Sequence, residues 1–417
     1  MILMDLGAII QYYRTKQGLT QKELANGLCS VSYLSKIESG VIEPNLDTIK
    51  LLLNRLNMDY EKLTSYDEVA IDHRIDELNQ KINDKQLDEA KKIVNELKEV
   101  ITPFHHSDTQ NYFQLNYFYY LISKEPSKRY NIDIQDLLTL EGTFSGRKLY
   151  YFYKVIGFYY SCHTNSKLAN QYFHKAKEIL DSQSIHDPEL YYLLALSYMG
   201  MRQPVYSNYY CGMALEQFAN DLLYNHVTDC YHLLGINYLN LGAYDISENY
   251  FNQVLQSKPM GRSPKVRSRA THNLGILHFR KEEYEKALAC LHEALENHEK
   301  VYDILYSIYV IAKIHYLQGD KDKALKYIKR GEEILKSDNI VKLRYRYYIL
   351  RHQIHNQTHD EEFLNKAKNV ILPYYHTIGE NHFIKELNEL LAEIYSKKGD
   401  YKQASEYYKK LANIMIQ

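Results

Sequence analysis

The sequence predicts an all-α protein made of a small N-terminal helical domain followed by a long array of helical hairpins. Two observations lead to this prediction. Roughly the first sixty residues contain short amphipathic stretches that are separated by glycines and helix-capping residues. From Gly157 onward, a small residue followed three positions later by an aromatic residue or a histidine recurs about every forty residues. Such regular self-similarity is typical of stacked hairpins, in which each unit contacts only its neighbours.

The repeated pattern is clearest between Asp229 and Pro259. Gly235 precedes Tyr238 by three positions, and Phe251 lies in the expected second helix of the hairpin. A small residue lets two helices approach closely, and a residue three positions later lies on the same helix face. The small-residue position recurs at Gly157, Ala195, Gly235, Gly275, Ala312 and Ala392. This pattern resembles the tetratricopeptide repeat, whose antiparallel helix pairs stack into a right-handed superhelix.

The repeat domain is expected to span residues 73–417 in about eight or nine repeats. The first two repeats and the one near residues 341–378 match the pattern poorly, so we expect them to be degenerate. Terminal repeats are commonly atypical because one of their faces meets no neighbour. Residues 65–72 are predicted to be a linker or the start of a connecting helix.

The N-terminal domain is predicted to occupy residues 1–64 and to begin with two helices. The first is expected over residues 5–16, with Gly18 as its stop signal. Thr20 and Glu23 have the spacing of a capping box, in which each side chain bonds the other residue's backbone N–H. A second helix is therefore predicted from Thr20 onward.

Three further helices are predicted in this domain. Ser30 is an N-cap for the third, which Gly40 ends, and Asn45 or Leu46 opens the fourth. A fifth, short helix is expected to begin at Asp59. The apolar positions predicted to form the core are Leu6, Ile9, Ile10, Tyr13, Leu24, Ala25, Leu34, Ile37, Ile49, Leu52, Leu53 and Leu56.

This order of helices resembles the helix-turn-helix domain of the Cro/repressor-like (XRE) family. The resemblance rests on Thr20-Gln21-x-x-Leu24-Ala25, on Leu34-Ser35-Lys36-Ile37-Glu38-Ser39-Gly40, and on Pro44 and Leu46. It implies that the third helix enters the major groove of DNA, where each base pair shows a distinct donor and acceptor pattern. The alternative is that an old DNA-binding fold is reused for protein contact.

The candidate DNA-binding residues are those expected on the outer face of the third helix and at the start of the second. Ser32, Tyr33 and Lys36 are predicted to reach base edges, and Val31 to pack on a thymine methyl group. The helix N-terminus at Ser30 attracts phosphate. The full set is Gln21, Ser30, Val31, Ser32, Tyr33, Ser35 and Lys36.

The charge of the N-terminal domain predicts its assembly. Residues 1–64 contain seven Lys and Arg residues and seven Asp and Glu residues. A neutral module gains little from counterion release, so one copy should bind DNA weakly. Two copies bind a pseudo-palindromic operator better through effective concentration. We therefore expect a homodimer on double-stranded DNA.

The first helices of the repeats are expected to line a concave surface. Asparagine donates to and accepts from a peptide backbone, Arg and Lys hold a carboxylate, and tyrosine rings form apolar pockets. This mixture favours a short extended peptide as ligand; the alternative is a solvated groove without a dedicated ligand. The candidate peptide-binding residues are Asp229, His232, Asn237, Asn240, Arg269, His272, Asn273, Tyr306, Tyr309, Lys313, Arg344, Tyr348 and Arg351.

Joined in one chain, these two parts resemble the peptide-responsive quorum-sensing regulators of low-GC Gram-positive bacteria, the Rap, Rgg, NprR, PlcR and PrgX superfamily, and most of all its NprR branch. The resemblance implies a transcriptional regulator controlled by a re-imported oligopeptide on its concave face. It also implies dimerisation through the repeats, with larger assemblies when peptide is bound. In the family, asparagines of the inner helices hold the peptide backbone, a role that Asn237, Asn240 and Asn273 match by position.

A second hypothesis concerns a protein partner. The Rap and NprR branch also binds a response regulator of the sporulation phosphorelay and promotes its dephosphorylation, through a glutamine on an N-terminal helix. Four glutamines are available in the corresponding part of this sequence: Gln80, Gln86, Gln110 and Gln114. In this alternative, the repeats chiefly bind a protein and the DNA-binding domain is auxiliary.

The sequence does not predict an enzyme or a cofactor. It contains no phosphate-binding loop, no G-x-S-x-G and no H-E-x-x-H motif. His352, His355 and His359 have helical spacing, but an isolated run of histidines is more often a surface feature than a metal site. No metal is therefore expected.

The remaining composition predicts a cytoplasmic protein. The formal net charge of the 417 residues is −1, which gives no global attraction for polyanions. The five cysteines include no C-x-x-C pair and are expected to be reduced thiols. No apolar run reaches the length of a membrane span, and the N-terminus lacks the pattern of a signal peptide. No membrane partner is expected.

Overall fold

The computed structural model describes residues 6–42, 44–61, 68–101, 107–126, 130, 133–257, 264–297, 300–338 and 340–416. These residues form helices, turns and loops, with no strand among them, as expected for an all-α fold. Contacts divide the chain into two compact units, Met1–Asp221 and Leu222–Gln417. None of the helices in the described part of the chain is long and apolar enough to cross a membrane.

The first unit begins with the predicted helix-turn-helix domain. Its helices are α1 (Leu6–Lys16), α2 (Gln21–Ala25), α3 (Val31–Glu38) and α4 (Leu46–Arg55). The residues expected to form the core pack together in one cluster, which includes Ile9, Ile10, Leu24, Ala25, Leu34, Ile37, Ile49, Leu52, Leu53 and Leu56. Leu6 and Tyr13 pack against this cluster and are partly buried. The expected first residue of α1, Asp5, lies outside the described residues.

Capping side chains set the starts of these helices, as the sequence indicated. Thr20 and Glu23 form a capping box, in which Thr20 N donates to Glu23 Oε2 at 2.7 Å and Glu23 N donates to Thr20 Oγ1 at 3.2 Å. Ser30 Oγ accepts from Tyr33 N at 3.1 Å and so caps α3. Asn45 is the cap of α4, which resolves the two alternatives for its start. Each such cap contributes about 1 kcal/mol.

The described part of residues 65–72 is the start of a connecting helix rather than a linker. Residues 68–72 belong to helix α5 (Glu68–Asn83), whereas residues 62–67 lie outside the described part. Tyr60 and Glu61 are helical, and Asp59 Oδ1 accepts from Glu61 N at 2.9 Å, so a short helix does begin after Asp59. Pro259, the last residue of the stretch in which the repeat pattern is clearest, also lies outside the described residues.

Helical hairpins continue through the rest of the first unit. After α5 come α6 (Leu87–Val100), α7 (Ser107–Lys124), α8 (Ile134–Leu138), a 3-10 turn (Thr139–Thr143), α9 (Gly146–Cys162), α10 (Ser166–Gln183), α11 (Pro188–Gly200) and α12 (Pro204–Asn220). The short α8 explains why the second repeat matches the pattern poorly, since its second helix is replaced by two short pieces.

The second unit consists of further hairpins and contains all the candidate peptide-binding residues. Its helices are α13 (Tyr224–Asn240), α14 (Tyr244–Gln256), α15 (Pro264–Arg280), α16 (Tyr284–Asn297), α17 (Val301–Leu317), α18 (Lys321–Ile334), α19 (Val341–Ile354), α20 (Glu361–Lys366), a π-helical turn (Ala367–Ile371), α21 (Leu372–Thr377), α22 (Asn381–Lys397) and α23 (Tyr401–Ile416).

The small-residue position is the point of closest contact within a hairpin. A Cβ atom added at Gly235 would lie 2.5 Å from Phe251 Cε1, and one at Gly275 would lie 2.7 Å from Leu291 Cγ. Both distances are shorter than van der Waals contact, so only glycine fits against these partners. In the hairpin of Gly235, Ser247 Oγ also donates to Gly235 O at 2.7 Å. The predicted register of the repeats is therefore confirmed at this position.

The aromatic position has a partner that the sequence analysis did not identify. Rings stack in parallel between the two helices of five hairpins, with centroids 5.4–5.8 Å apart. A stacked pair of this kind contributes about 1 kcal/mol beyond its burial. The pairs are Tyr160–Tyr172, Tyr198–Tyr210, Tyr238–Tyr250, His315–Tyr327 and Tyr395–Tyr407. In each pair the second ring follows the first by twelve residues, a spacing that is visible in the sequence.

The repeat near residues 341–378 departs from the others in its second helix. That helix is interrupted by the π-helical turn, where Leu372 N–H donates to the carbonyl of Ala367 five residues earlier. Pro373 follows at once, and a proline has no N–H and cannot continue a regular helical ladder. Beyond this turn, Tyr375 is directed back to α19 and its hydroxyl donates to Lys342 O at 2.6 Å.

Candidate DNA-binding face and candidate ligand-binding face

Helix α3 has one buried face and one exposed face. Leu34 and Ile37 are buried in the domain core. Val31 is 43% exposed, and four other predicted DNA-binding residues are exposed as well: Ser30, Ser32, Ser35 and Lys36. An exposed helix face that carries hydroxyl groups, one cation and one apolar side chain has the chemistry needed to read a major groove.

Two of the predicted DNA-binding residues are partly engaged inside the domain. Tyr33 is half-buried and packs against the core cluster, so only part of its ring is accessible. Gln21 Nε2 donates to Glu38 Oε2 at 2.8 Å, which commits the amide nitrogen to an internal contact. The sequence did not reveal this contact, because Gln21 and Glu38 lie on different helices.

A buried ion pair fixes α1 against α3. Arg14 Nε donates to Glu38 Oε1 at 2.6 Å and Arg14 Nη2 donates to Glu38 Oε2 at 2.9 Å, a bidentate arrangement. The hydrogen bond to Glu38 raises the pKa of Arg14. Glu38 is only 5% exposed, so its charge is neutralised within the fold rather than presented to DNA.

A row of tyrosines lines one face of α17. The rings of Tyr302 and Tyr306 stack with centroids 6.2 Å apart, and those of Tyr306 and Tyr309 do the same. Tyr306 is half-buried, whereas Tyr309 is 4% exposed and lies beneath its neighbours. Lys313 follows on the same face, with Nζ 5.7 Å from the centroid of Phe279.

Lys313 pairs with a carboxylate from another repeat. Its Nζ lies 2.8 Å from Glu386 Oε2 on α22, and His382 Nδ1 lies 3.0 Å from Glu386 Oε1. Burial alone would raise the pKa of Glu386, but the hydrogen bond from His382 and the charge of Lys313 lower it to about 2. Burial likewise opposes the charge of Lys313, yet Tyr309 and Glu386 raise its pKa to about 12.

Arg346 of α19 lies at the centre of this surface, and the sequence analysis missed it. Its guanidinium carbon is 5.4 Å from the ring centroid of Tyr306, 5.7 Å from that of Tyr309 and 4.4 Å from that of Phe383. One turn before it on α19, Lys342 Nζ lies 2.7 Å from Glu380 Oε1. We call the surface formed by Tyr302, Tyr306, Lys313, Lys342, Arg346, Glu380 and Glu386 the first-helix face, because it joins the first helices of three successive repeats.

The predicted residues of α19 point away from the first-helix face. Arg344, Tyr348 and Arg351 instead line a cavity of about 280 Å³ together with Glu332, Leu335, Lys336 and Tyr347. Arg351 Nη1 lies 3.3 Å from Glu332 Oε1, and Arg344 Nη2 donates to Leu335 O at 3.2 Å. The structure therefore separates these three residues from Lys313, and their predicted role in peptide binding stays a prediction. Residues two positions apart on a helix face in nearly opposite directions, and Arg346 is the residue of α19 that lies near Lys313.

The candidate residues of α13 and α15 are divided between the interior and the surface. Asn237 is fully buried, and Asp229 and His272 are 9% and 8% exposed. His272 Nδ1 lies 2.7 Å from Ser307 Oγ, and Asn273 Nδ2 donates to His232 Nε2 at 3.0 Å. These contacts join neighbouring repeats, so they hold the array together. Asn240 is exposed and Arg269 is half-exposed, which leaves both accessible to a ligand.

The histidines considered as metal ligands are not gathered into one site. His352 Nδ1 lies 2.8 Å from Tyr348 O, and its ring packs on Phe363. His359 lies in the following loop, where its carbonyl accepts from Lys398 Nζ at 2.6 Å. Within the residues that the structure describes, no group of three His, Cys, Asp or Glu side chains has the geometry to hold a metal ion.

The comparisons with known sequences agree with this architecture. A helix-turn-helix family model matches residues 10–63, and tetratricopeptide repeat models match residues 228–259, 267–337 and 387–416. The transcriptional activator NprA of Geobacillus stearothermophilus is 26% identical over 413 residues, which cover 93% of this chain and 97% of NprA.

Solved structures show the same fold. The apo form of the quorum sensor NprR from B. thuringiensis has a TM-score of 0.71 and 20% identity, over 84% of this chain and 99% of NprR. NprR in complex with its cognate peptide NprX has a TM-score of 0.64 and 18% identity, over 83% of this chain and 98% of that one. A Rap protein complexed with competence and sporulation factor has a TM-score of 0.68 and 19% identity, over 84% and 98%.

The chain is thus similar to NprA over nearly its whole length, and it shares the fold of the NprR and Rap proteins. The glutamines considered for the Rap-like activity lie on two helices and in one turn of the first unit. Gln80 lies on α5, Gln86 in the turn that follows it, and Gln110 and Gln114 on α7. Gln80, Gln86 and Gln114 are exposed, and Gln86 Oε1 accepts from Lys81 Nζ at 2.9 Å.

Proposed function

We propose that this protein is a DNA-binding transcriptional regulator whose activity is controlled by a short signalling oligopeptide bound along the first helices of its repeats. The observation that carries the proposal is the union, in one chain, of an exposed recognition helix and a tyrosine-lined, cation-bearing first-helix face. The names of the relatives point the same way: NprA is a transcriptional activator, and NprR is a quorum sensor solved with a peptide. The function is regulatory rather than enzymatic.

DNA is read by α3 lying in the major groove. Ser32 and Lys36 contact base edges, and Val31 packs on a thymine methyl group. The N-termini of α2 and α3 face phosphates, which fix the register without reading sequence. Because the domain carries balanced charge, a single copy binds DNA weakly, and a homodimer binds a pseudo-palindromic operator instead. This takes place in the cytoplasm.

The peptide binds along the second unit in an extended conformation. Tyr306 supplies an apolar ring surface, Lys313 and Arg346 supply cations, and Asn240 and Arg269 supply further accessible polar groups. Peptide binding changes DNA affinity to the extent that the peptide prefers the DNA-competent or the DNA-incompetent arrangement of the protein. A peptide with equal affinity for both arrangements would change nothing.

The assignment of the recognition helix is tested with the double variant Ser32→Ala/Lys36→Ala. Fluorescence anisotropy of the full-length protein on DNA from upstream of its own gene measures the affinity. Loss of two base contacts is expected to weaken specific binding by roughly thirtyfold or more, since each is worth about 1–3 kcal/mol. Lys402→Ala removes an exposed cation of α23 and is expected to bind as the wild type does. Unchanged operator affinity in the double variant would refute the assigned helix.

A further inference from the structure

We propose that the first-helix face binds a carboxylate of the ligand at Arg346 and Lys342, and that Glu380 occupies the same cations when the ligand is absent. The ligand is thus an acidic peptide, and it exchanges carboxylates with the protein. This inference rests on the proposed function for the peptide itself, but it concerns a separate property: which chemical group the second unit selects.

The arginine of this face, Arg346, is buried and incompletely paired. Arg346 is only 4% exposed, and its guanidinium lies against three aromatic rings. Its Nη2 reaches Glu380 Oε2 at 3.3 Å, and its buried Nε has no hydrogen-bond partner among the described residues. An arginine fork binds a carboxylate best through two parallel hydrogen bonds, and leaving a buried donor unpaired is costly. Arg346 is therefore held in place for an acceptor that Glu380 supplies only in part.

The two carboxylates come from one end of one helix. Glu386 lies in the second turn of α22, and Glu380 is the residue immediately before the first residue of that helix. Glu380 is shared, since its Oε1 lies 2.7 Å from Lys342 Nζ while its Oε2 lies 3.3 Å from Arg346 Nη2. Three cations, Lys313, Lys342 and Arg346, thus face two carboxylates in this cluster. The excess positive charge favours an added or better-placed anion.

Exchange of Glu380 for a ligand carboxylate is sterically simple. The side chain of Glu380 is about one-fifth exposed and can turn into water, where its charge is well solvated. An incoming Asp, Glu or C-terminal carboxylate can then offer both oxygens to Arg346 and one to Lys342. The start of α22 loses its tie to α19 in this step, so binding is linked to a change in the contacts between two repeats.

Internal competition has a measurable consequence. When the protein's own carboxylate occupies the binding site, the apparent affinity for a ligand falls. It equals the intrinsic affinity multiplied by the fraction of molecules in which the site is open. Removing Glu380 should therefore strengthen binding of an acidic ligand. It should not strengthen binding of a neutral ligand of the same shape.

The first experiment tests whether a free carboxylate binds at Arg346 and Lys342 once the side chain of Glu380 has been removed. Glu380→Ala is made in the full-length protein, and its melting temperature is measured with increasing glutarate at constant ionic strength. We expect a saturable rise with glutarate, no rise with the neutral glutaramide, and a much smaller rise in the wild type. In Glu380→Ala/Arg346→Lys the charge remains but the fork is lost, so the rise should fall by at least half. Absence of a glutarate-dependent rise, or an equal rise without Arg346, would overturn the proposal.

The second arm uses peptides. Two sets of fluorescein-labelled heptapeptide mixtures are prepared. In one set each mixture has Asp fixed at one of the seven positions, and in the other set Asn is fixed at that position. Binding of each mixture to the protein is followed by fluorescence anisotropy. At one or more positions the Asp set is expected to bind roughly tenfold tighter than the Asn set, as expected for a hydrogen-bonded charge pair. Glu380→Gln should increase that preference. The inference would be contradicted if the Asp and Asn sets bound equally well. It would also be contradicted if neither set bound to the wild type or to Glu380→Gln.

The outcome is distinguishable from failure of the proposed function. Acid-selective binding without any effect on operator affinity would leave the carboxylate exchange standing and refute the regulatory role. A peptide that controls operator affinity but binds equally as Asp and Asn forms would leave the regulatory role standing and refute the exchange.

Discussion

Gly235→Ala is expected to destabilise the second unit, although alanine is the better helix former. Gly235 lies inside α13, where replacement of glycine by alanine ordinarily stabilises by about 1 kcal/mol. The added Cβ would lie 2.5 Å from Phe251 Cε1 and 2.7 Å from Phe251 Cδ1. Phe251 is fully buried and cannot move into solvent. Overpacking of this kind costs about 1–3 kcal/mol, so the net effect should be a loss of up to roughly 2 kcal/mol.

The chain offers a matched control and a rescue. Gly212 lies inside α12, and a Cβ there would meet nothing within 4 Å, so Gly212→Ala should stabilise by about the helix-propensity term alone. In two other hairpins the small residue is alanine and the residue sixteen positions later is smaller than phenylalanine: Cys211 follows Ala195, and Ile328 follows Ala312. Phe251→Ile should therefore recover part of the loss in the double variant, which a double-mutant cycle would report as favourable coupling.

Urea unfolding followed by far-ultraviolet circular dichroism is the assay, with wild type, both alanine variants and the double variant compared under one condition. Repeat arrays can unfold in more than one step, so the midpoint of the transition that Gly235→Ala shifts is the quantity compared. Equal stability of Gly235→Ala and Gly212→Ala would refute the reasoning, because both substitutions lie inside a helix and only the Cβ at position 235 meets Phe251.

Two further outcomes are expected. The folded-state pKa of Glu386 is about 2, below its usual 4.5, so its pairing stabilises the protein above about pH 4.5 and that contribution is lost as the pH falls toward 2. In a plot of melting temperature against pH, Glu386→Gln should therefore reduce the fall in melting temperature at acid pH. An unchanged fall would count against the pairing. Arg14→Ala leaves Glu38 buried without its cation and should destabilise the DNA-binding domain by roughly 3 kcal/mol, whereas Lys16→Ala, on the exposed side of α1, should change its melting temperature little.

The fold was largely predictable because its signals are local. Thr20 with Glu23, and Ser30, mark helix starts through contacts within one turn, and the structure contains those contacts. Gly235 and Phe251 lie in one hairpin, so a fixed spacing is enough to indicate that they touch. The stacked pairs such as Tyr238–Tyr250 have an equally regular spacing and were within reach of the same reasoning.

The candidate ligand-binding face was less predictable because it joins repeats that are distant in sequence. Lys313 and Glu386 are separated by 73 positions, and nothing local to either identifies the other. Sequence alone did not show which side chains of α19 lie beside Lys313, because this repeat has no small-aromatic pair to fix its register. The Lys342 and Arg346 pair, four residues apart and aligned with the tyrosines of α17, was the signal that could have placed it. Polar residue type was also a weak guide to exposure, because Asn237 and His272 are polar but buried.

The central claim is that a peptide controls DNA binding. It is tested most directly by the fluorescence anisotropy of DNA from upstream of the protein's own gene, measured with the full-length protein. The measurement is made with and without synthetic peptides from any small open reading frame beside that gene. The account predicts that one such peptide changes the operator affinity by at least severalfold, and that Ser32→Ala/Lys36→Ala abolishes the specific signal. Tight binding that no peptide alters would contradict peptide control. Absence of DNA binding in both conditions, together with a stoichiometric protein partner that co-purifies regardless of peptide, would favour the protein-partner hypothesis instead.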